Sequence, residues 1–291
     1  MRRLMFFVTM CSVLVTNSFA QQIEVKEPQL IKEAGTEAYY PKFTPDGKTI
    51  LLTSENNSGL KAFNLKTKQV EQLTTADGAG WNPVVSDDSK TICFRQIDYS
   101  VDPFGLASFH SYNLESKQTQ QLTAPSVDMA PTQTLSLMKS KAAIKSPVIA
   151  YTSEDLQIAV EKGGQKTILT PNGADKSYIW VQLSPDKTKI VYNASETFIC
   201  DLSGKILANL GKLNAPQWLN NDWVVGMDDS DDGHVVVKSN IIGISVNGKV
   251  RQELTQLGDK IAMFPAVSPD GSKIAFNTLQ GELYIMEISV K

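Results

Sequence analysis

The residues best suited to bind an ion form an acidic run in the last third of the chain, Asp228-Asp229-Ser230-Asp231-Asp232-Gly233-His234. Asp228, Ser230 and Asp232 place oxygen atoms at alternate positions ahead of a glycine, as in the first half of an EF-hand loop that binds calcium. The twelfth position of such a loop is Ser239, where calcium needs a bidentate glutamate. Two interpretations stay open, a solvated hairpin tip and a weak site for calcium or another ligand.

Aromatic residues are the second group of candidates, because flat rings offer a large contact area to a peptide or a sugar at a low entropic cost. They stand at or just before an apolar run that we predict to be the innermost strand of a repeat: Tyr39, Tyr40, Trp81, Trp180 and Phe264. For Trp81 and Trp180, ordinary packing between neighbouring repeats is an equal alternative.

Two further candidates, Tyr99 and Asp102, lie in the longest strand connection of the first two repeats, and long loops on a rigid scaffold often carry function. We expect this loop and the acidic run to emerge at the same opening as the aromatic residues. The predicted ligand-binding set therefore joins the five aromatic residues to Tyr99, Asp102, Asp228, Asp229, Asp231, Asp232 and His234.

Several catalytic classes lack their residues in this sequence. His110 and His234 are the only 2 histidines, which excludes a three-histidine zinc site. The chain contains no Gly-x-Ser-x-Gly nucleophile elbow, no glycine-rich phosphate loop and no dinucleotide fingerprint. Paired carboxylates for glycoside hydrolysis stay open, since acidic residues are plentiful and their separation in space cannot be read from a sequence.

The elements that must position these candidates are copies of one short phrase. Residues 43–50, 183–190 and 267–274 each contain Pro-Asp between two apolar runs, and residues 85–92 repeat the phrase without its proline. In such a turn proline presets φ, aspartate caps the turn, and glycine or a small polar residue takes the strained position. The phrase therefore predicts pairs of short strands joined by tight turns.

Laid out on this phrase, the chain divides into six units that span 39–74, 81–123, 134–170, 178–210, 215–255 and 263–290. Units of about 40 residues with four strands each are typical of β-propeller blades. We predict an all-β fold, a six-bladed β-propeller with four-stranded antiparallel blades. The sixth unit supplies only three strands, and we expect Gln29 to Glu33 to add the fourth and close the ring.

The phrase Ser268-Pro269-Asp270-Gly271-Ser272-Lys273-Ile274, with its copies at Thr44 and Ser184, resembles the Pro-Asp-type WD-like repeat of TolB-like β-propellers. The resemblance extends over the whole chain after the first twenty residues and implies a six-bladed propeller. It implies little about function, because the same repeat occurs in peptidase propellers, sugar lyases and binding proteins. Residues 21–39 leave no room for the separate N-terminal domain of TolB, so we expect a propeller without it.

The N-terminus has the pattern of a signal peptide. Arg2 and Arg3 precede an apolar run too short to span a bilayer, and Ser18-Phe19-Ala20 resembles a cleavage site. We expect a signal peptide at 1–20, a single propeller domain at 21–291, and a periplasmic or secreted protein without a membrane span. The formal net charge of −3 and the absence of a basic stripe argue against nucleic acid as a partner.

The sequence therefore predicts an exported, monomeric, non-catalytic binding propeller that holds a protein segment or a glycan at the mouth of its central channel. It predicts no cofactor beyond weakly bound calcium. One alternative is a carbohydrate-active enzyme, a glycoside hydrolase or lyase, with paired carboxylates in the channel. The other is a structural scaffold of an envelope complex, which predicts an exposed apolar patch.

Overall fold

A computed structural model describes residues 22–127, 148–153 and 155–291 of the chain. The predicted signal peptide and the beginning of the predicted third unit, near Thr134, lie outside these residues. Strands and turns make up the described part, together with one short 3₁₀ helix at Lys32–Ala34. No helix within this part is long and apolar enough to cross a membrane.

The chain opens with two short strands and then enters the first two blades. The N-terminal strands are β1 (Ile23–Val25) and β2 (Gln29–Leu30). Blade 1 contains β3 (Tyr39–Phe43), β4 (Thr49–Thr53), β5 (Leu60–Asn64) and β6 (Val70–Thr74). Blade 2 contains β7 (Val84–Val85), β8 (Thr91–Asp98), β9 (Leu106–Asn113) and β10 (Thr119–Gln121).

The remaining blades follow in the same order. The described strands of blade 3 are β11 (Val148–Thr152), β12 (Ile158–Lys162) and β13 (Gln165–Leu169). Blade 4 contains β14 (Ile179–Leu183), β15 (Lys189–Ala194), β16 (Glu196–Asp201) and β17 (Ile206–Gly211). Blade 5 contains β18 (Asn214–Trp218), β19 (Trp223–Asp231), β20 (Val236–Ser245) and β21 (Arg251–Glu253). Blade 6 contains β22 (Ala262–Val267), β23 (Lys273–Thr278) and β24 (Leu283–Val290).

Each blade is an antiparallel sheet whose strands lie side by side in chain order. This arrangement confirms the predicted all-β, six-bladed propeller. Apolar side chains from neighbouring sheets pack face to face, as where Phe43 and Ile50 of blade 1 meet Ala275 and Ile285 of blade 6. Burial of these side chains is the main favourable term that holds the blades in a ring.

The N-terminal segment closes the ring, as predicted from Gln29 and Leu30. In β2, Gln29 pairs with Ile285 of β24, and in β1, Ile23 pairs with Val290 of the same strand. Both N-terminal strands thus cover the outer edge of blade 6, which removes an unpaired edge. The predicted strand ends at Leu30, because Lys32–Ala34 turn into the 3₁₀ helix.

The repeated Pro-Asp phrase forms the turn between the first and second strands of a blade. In blade 6 the Ser268 hydroxyl donates to Asp270 Oδ1 over 2.6 Å, and the main-chain N–H of Ser272 donates to the same oxygen over 3.0 Å. These hydrogen bonds lower the pKa of Asp270 to about 2. The left-handed position is Gly271 in this turn and Lys187 in blade 4, although the phrase predicted glycine or a small polar residue there.

Candidate ligand-binding site

Every described innermost strand begins at the same face of the propeller. Because the blades are antiparallel, the connections between their second and third strands emerge on this same face, and the Pro-Asp turns lie on the opposite one. We call the first of these faces the mouth face. Residues 54–59, 99–105, 232–235 and 279–282 connect second and third strands there.

A left-handed residue recurs at the mouth face, at or just before the innermost strand of five blades. The positions equivalent to one another are Tyr40 (φ 50°), Asn82 (φ 47°), Trp180 (φ 52°), Ala215 (φ 45°) and Phe264 (φ 51°). In blades 1, 4, 5 and 6 the pairing register shifts at this residue, which is the mark of a β-bulge. A bulge re-aims a side chain, and a left-handed non-glycine residue costs on the order of 1–3 kcal/mol. Three of these residues, Tyr40, Trp180 and Phe264, are predicted site residues because they stand at or just before an innermost strand. Their shared left-handed backbone has no signal in the sequence.

Three aromatic rings from blades 1 and 6 meet at the mouth face, and we call them the aromatic cluster: Tyr39, Tyr40 and Phe264. The ring centroids of Tyr40 and Phe264 lie 4.5 Å apart with the planes tilted by 54°. The Tyr39 and Tyr40 centroids lie 6.3 Å apart at 40°. All three residues are partly exposed, so the rings are fixed by contacts and still reachable from solvent.

The backbone of Tyr40 is held by a buried amide from the neighbouring blade. Its main-chain N–H donates to Asn277 Oδ1 over 3.1 Å, and Asn277 Nδ2 donates to the Thr278 carbonyl over 3.0 Å. Asn277 is fully buried. The innermost strand has a free edge, where a main-chain N–H lacks a strand partner, and the Asn277 amide supplies one.

Two glutamates lie near the tyrosines of the cluster, Glu37 two residues before Tyr39 and Glu55 two residues after Thr53, the strand partner of Tyr39. Burial raises the pKa of Tyr39, and the charges of Glu55 and Glu37 raise it further. Burial and the charge of Glu55 also raise the pKa of Tyr40. Glu37 lies 3.6 Å from the Lys61 ammonium, whereas Glu55 forms no ion pair with a described residue. Neither glutamate is among the predicted ligand-binding residues.

The other predicted aromatic residues stand apart from the aromatic cluster. Trp180 packs against the same core of blades 5 and 6 as Phe264. Trp81 is 58% exposed just before β7, with the Arg95 guanidinium 5.2 Å from its ring centroid. Tyr99 is exposed at the tip of the hairpin between β8 and β9. Within the described ranges, no ring contact joins these three residues to the aromatic cluster.

The hairpin that carries Tyr99 and Asp102 is built around local hydrogen bonds. Asp102 Oδ1 accepts the main-chain N–H of Phe104 over 2.8 Å, so this carboxylate caps the turn. The turn presents Val101, 75% exposed, and Phe104, 91% exposed, to solvent. Phe104 was not among the predicted site residues, since a single phenylalanine in a loop carries no spacing signal.

The acidic run does not form a loop, which corrects the sequence prediction. Asp228 to Asp231 belong to strand β19, and only residues 232–235 connect β19 to β20. The two strands continue to pair as far as Asp231 and Val236, so alternate side chains of the run point to opposite faces of the sheet.

The carboxylates of this run have partners of their own. Asp228 lies 2.9 Å from the Arg251 guanidinium, and Asp229, which is buried, accepts the Asn214 amide over 2.8 Å. The main-chain N–H of Gly233 donates to Asp231. The main-chain N–H groups of His234 and Val235 donate to Asp232 and lower its pKa. Calcium at Asp228, Ser230 and Asp232 stays a prediction. No group of three or more His, Cys, Asp or Glu side chains in the described part is placed to hold a metal ion.

The five described innermost strands carry no aspartate or glutamate. Their sequences are YYPKF, VV, IWVQL, NAPQW and AMFPAV, in which Lys42 is the only charged residue. The Lys42 ammonium donates to the Pro83 carbonyl of blade 2 over 2.7 Å. Burial lowers the pKa of Lys42 to about 8. These strands line the central channel, and they therefore do not supply the paired carboxylates of a glycosidase.

These features define a β-propeller with an aromatic and acidic mouth face. No protein-family model matches the chain, and no curated protein matches it. Among solved structures it is similar to TolB from Acinetobacter baumannii, with a TM-score of 0.54 and 22% identity over 78% of this chain. The chain spans 56% of that TolB.

Two further solved structures share the architecture. A putative TolB from Agrobacterium tumefaciens has a TM-score of 0.53 and 17% identity, with 93% of this chain and 99% of that chain covered. The tricorn protease has a TM-score of 0.51 and 13% identity, with 86% of this chain and 25% of that chain covered. Identities this low show the fold alone, and the fold is that of a TolB-like six-bladed propeller.

Proposed function

We propose that this protein is an exported binding propeller that holds a segment of another protein at its mouth face and catalyses no reaction. The observation that carries the proposal is the aromatic cluster, in which Tyr40 and Phe264 lie 4.5 Å apart and stay partly exposed. Pre-positioned aromatic side chains are the usual anchors of protein interfaces, because little entropy is lost when they bind.

Two observations support binding over catalysis. The described innermost strands contain no carboxylate, so they provide no acid and base pair. The left-handed position that recurs in five blades carries an aromatic ring at Tyr40 and Phe264, and the β-bulge there re-aims the side chain at the mouth face. The export part of the proposal rests on the signal-peptide pattern of the sequence and places the protein in the periplasm or outside the cell.

The experiment is a selection of phage-displayed peptides twelve residues long on the full chain, followed by affinity measurements on the enriched peptides. Phe264→Ala removes one ring of the aromatic cluster and is expected to weaken binding at least tenfold, about 1.4 kcal/mol. Phe104→Ala removes an exposed ring from the hairpin of blade 2 and serves as the matched control, with no change expected.

A measurement on the unaltered protein makes the test independent of how a variant folds. A bound peptide is expected to protect Tyr39 and Tyr40 from nitration by tetranitromethane, because it covers the two rings. Failure to enrich any peptide, or binding that leaves both tyrosines reactive, would overturn the proposal. Recognition of a glycan array in place of peptides would overturn the choice of a protein segment.

The exposed hairpin of blade 2 favours a second candidate, a scaffold role in an envelope complex. Tyr99, Val101 and Phe104 present apolar surface at its tip, and exposed apolar patches often mark contact sites between proteins. Phe104→Asp is expected to abolish co-purification of a stable partner if this hairpin makes the contact. Unchanged co-purification, or recovery of the protein only as a free monomer, would count against the scaffold.

A further inference from the structure

The aromatic cluster has a geometry suited to a particular chemical group, and this inference rests on the function proposed above. The rings of Tyr39, Tyr40 and Phe264 are tilted against one another by 40° and 54°. A sugar stacks on one flat ring face, and these three rings, tilted against one another, do not form one flat platform. The partly exposed rings can attract a cation, because the face of an aromatic ring carries the negative end of its quadrupole.

The surroundings of the cluster favour positive charge. Glu55 and Glu37 are both exposed. Glu37 stands two residues before Tyr39, and Glu55 stands two residues after Thr53, which pairs with Tyr39 in the sheet. The Lys61 ammonium lies 3.6 Å from the Glu37 carboxylate and offsets its negative charge, whereas no described cation pairs with Glu55. An anionic group at the cluster would be repelled by these carboxylates, while a cation would gain their attraction.

Other aromatic rings of the propeller already have a cation placed over them. Arg95 lies over Trp81 at 5.2 Å and Lys260 over Tyr284 at 5.3 Å. Lys68 lies over Phe63 at 5.7 Å. The three aromatic rings of the cluster have no such cation among the described residues. A cation from a bound partner could therefore occupy this position at the mouth face.

We propose that the bound protein segment presents a lysine or arginine side chain whose cation lies against the rings of Tyr40 and Phe264 and pairs with Glu55. The ring faces and the carboxylate act on the same charge from different sides. This double contact distinguishes a cationic side chain from an apolar one of similar length, because only the charge engages both. Specificity for the partner segment would then reside in one residue.

The test uses an enriched peptide with arginine at the cationic position, placed there by synthesis where the selection yields lysine. A second synthesis carries citrulline, the neutral isostere of arginine, at the same position. Binding is expected to weaken at least fivefold with citrulline. Glu55→Gln is expected to weaken the arginine peptide three- to tenfold and the citrulline peptide little. A merely structural role for Glu55 would weaken both peptides equally, so the difference between them is the decisive readout.

Glu115→Gln is the matched control, since Glu115 lies on the opposite face in the turn between β9 and β10. Rising salt is also expected to weaken the arginine peptide, because Glu55 is exposed. Enriched peptides without a cation, or equal affinity for arginine and citrulline, would overturn this inference and leave the proposed function standing. Failure to enrich any peptide would overturn the proposed function itself.

Discussion

The side chain of Gln252 in blade 5 binds both main-chain groups of Ile23 in the N-terminal strand. The Ile23 N–H donates to Gln252 Oε1 over 3.0 Å, and Gln252 Nε2 donates to the Ile23 carbonyl. The neighbouring residue Gln22 exchanges its main-chain hydrogen bonds with Lys291 instead. Strand β1 therefore binds β24 on one side and Gln252 on the other, and this double attachment links blades 5 and 6.

The first prediction concerns this attachment. Gln252→Ala leaves two main-chain groups of the buried Ile23 without their partner and is expected to lower the free energy of unfolding by about 1–3 kcal/mol. Urea denaturation measures the loss. Gln121→Ala is the control, because the exposed Gln121 donates, among the described residues, to the carbonyl of Thr123 two residues further on, and a change below about 0.5 kcal/mol is expected. Equal losses of stability in the two variants would show that the hydrogen bonds between Gln252 and Ile23 do not stabilise the fold.

The sequence predicted the fold wherever a local signal repeats. The turns at Thr44, Ser184 and Ser268 share hydroxyl, aspartate and spacing, and each marks the first hairpin of a blade. Strand β1 was missed, because only one of its three residues is buried and it shows no periodicity. The strand at Asp228 to Asp231 was missed because aspartate has a low strand propensity. The strand forms because Arg251 and Asn214, both distant in sequence, bind its carboxylates.

The candidate site was predicted in part for a related reason. The sequence predicts Tyr40 and Phe264 because each begins a repeat, and the closed propeller brings their side-chain rings together from opposite ends of the chain. Glu55 was not selected, since a single glutamate in a turn carries no spacing signal. Trp81 was selected with the others, but its own neighbour Arg95 already covers its ring. Contacts between distant residues decided these differences.

The second prediction concerns acid stability. Hydrogen bonds lower the pKa of Asp270 from its usual 3.8 to about 2 in the folded state. The ionised carboxylate therefore stabilises the fold fully above about pH 4, and this contribution is lost as the pH falls towards 2. Asp270→Asn is expected to lower the Tm at pH 7, and the difference from the unaltered protein is expected to vanish near pH 2. Thermal denaturation followed across this range measures it.

Asp259→Asn is the control for the acid-stability prediction, because Asp259 is exposed and its carboxylate has no hydrogen bond or ion pair to a described residue. Its Tm is expected to follow that of the unaltered protein at every pH. A Tm difference for Asp270→Asn that stays constant from pH 7 to pH 2 would show that the turn is stabilised by shape and not by the charge of Asp270.

The third prediction concerns alkaline pH. Burial lowers the pKa of Lys42 from 10.5 to about 8 in the folded state, so between these values only the unfolded chain holds the proton. The free energy of unfolding therefore gains from Lys42 as the pH rises from 8 to 10.5, by at most about 1.4 kcal/mol per pH unit. Lys42→Met is expected to remove this gain. Urea denaturation at pH 7, 8, 9 and 10 measures it, and parallel curves for the two proteins would contradict the prediction.

The fourth prediction concerns the backbone that supports the aromatic cluster. Gly281 has a positive φ of +73°, and a Cβ atom there would lie 2.3 Å from the Thr36 carbonyl oxygen and 2.5 Å from the Tyr39 ring. Gly281→Ala is expected to lower the free energy of unfolding by about 3 kcal/mol and to move the Tyr39 ring, since both a left-handed alanine and an overpacked contact are unfavourable.

Gly233→Ala separates the two causes of that loss. Gly233 also has a positive φ, +93°, but a Cβ atom there would meet no atom of the described residues within 4 Å. Its substitution is expected to cost only about 1 kcal/mol, the conformational part of the effect. Because Gly281→Ala also displaces a ring of the aromatic cluster, it is expected to weaken peptide binding, whereas Gly233→Ala leaves binding intact. Equal losses of stability and unchanged binding in both variants would show that Tyr39 is not held in place by its contact with Gly281.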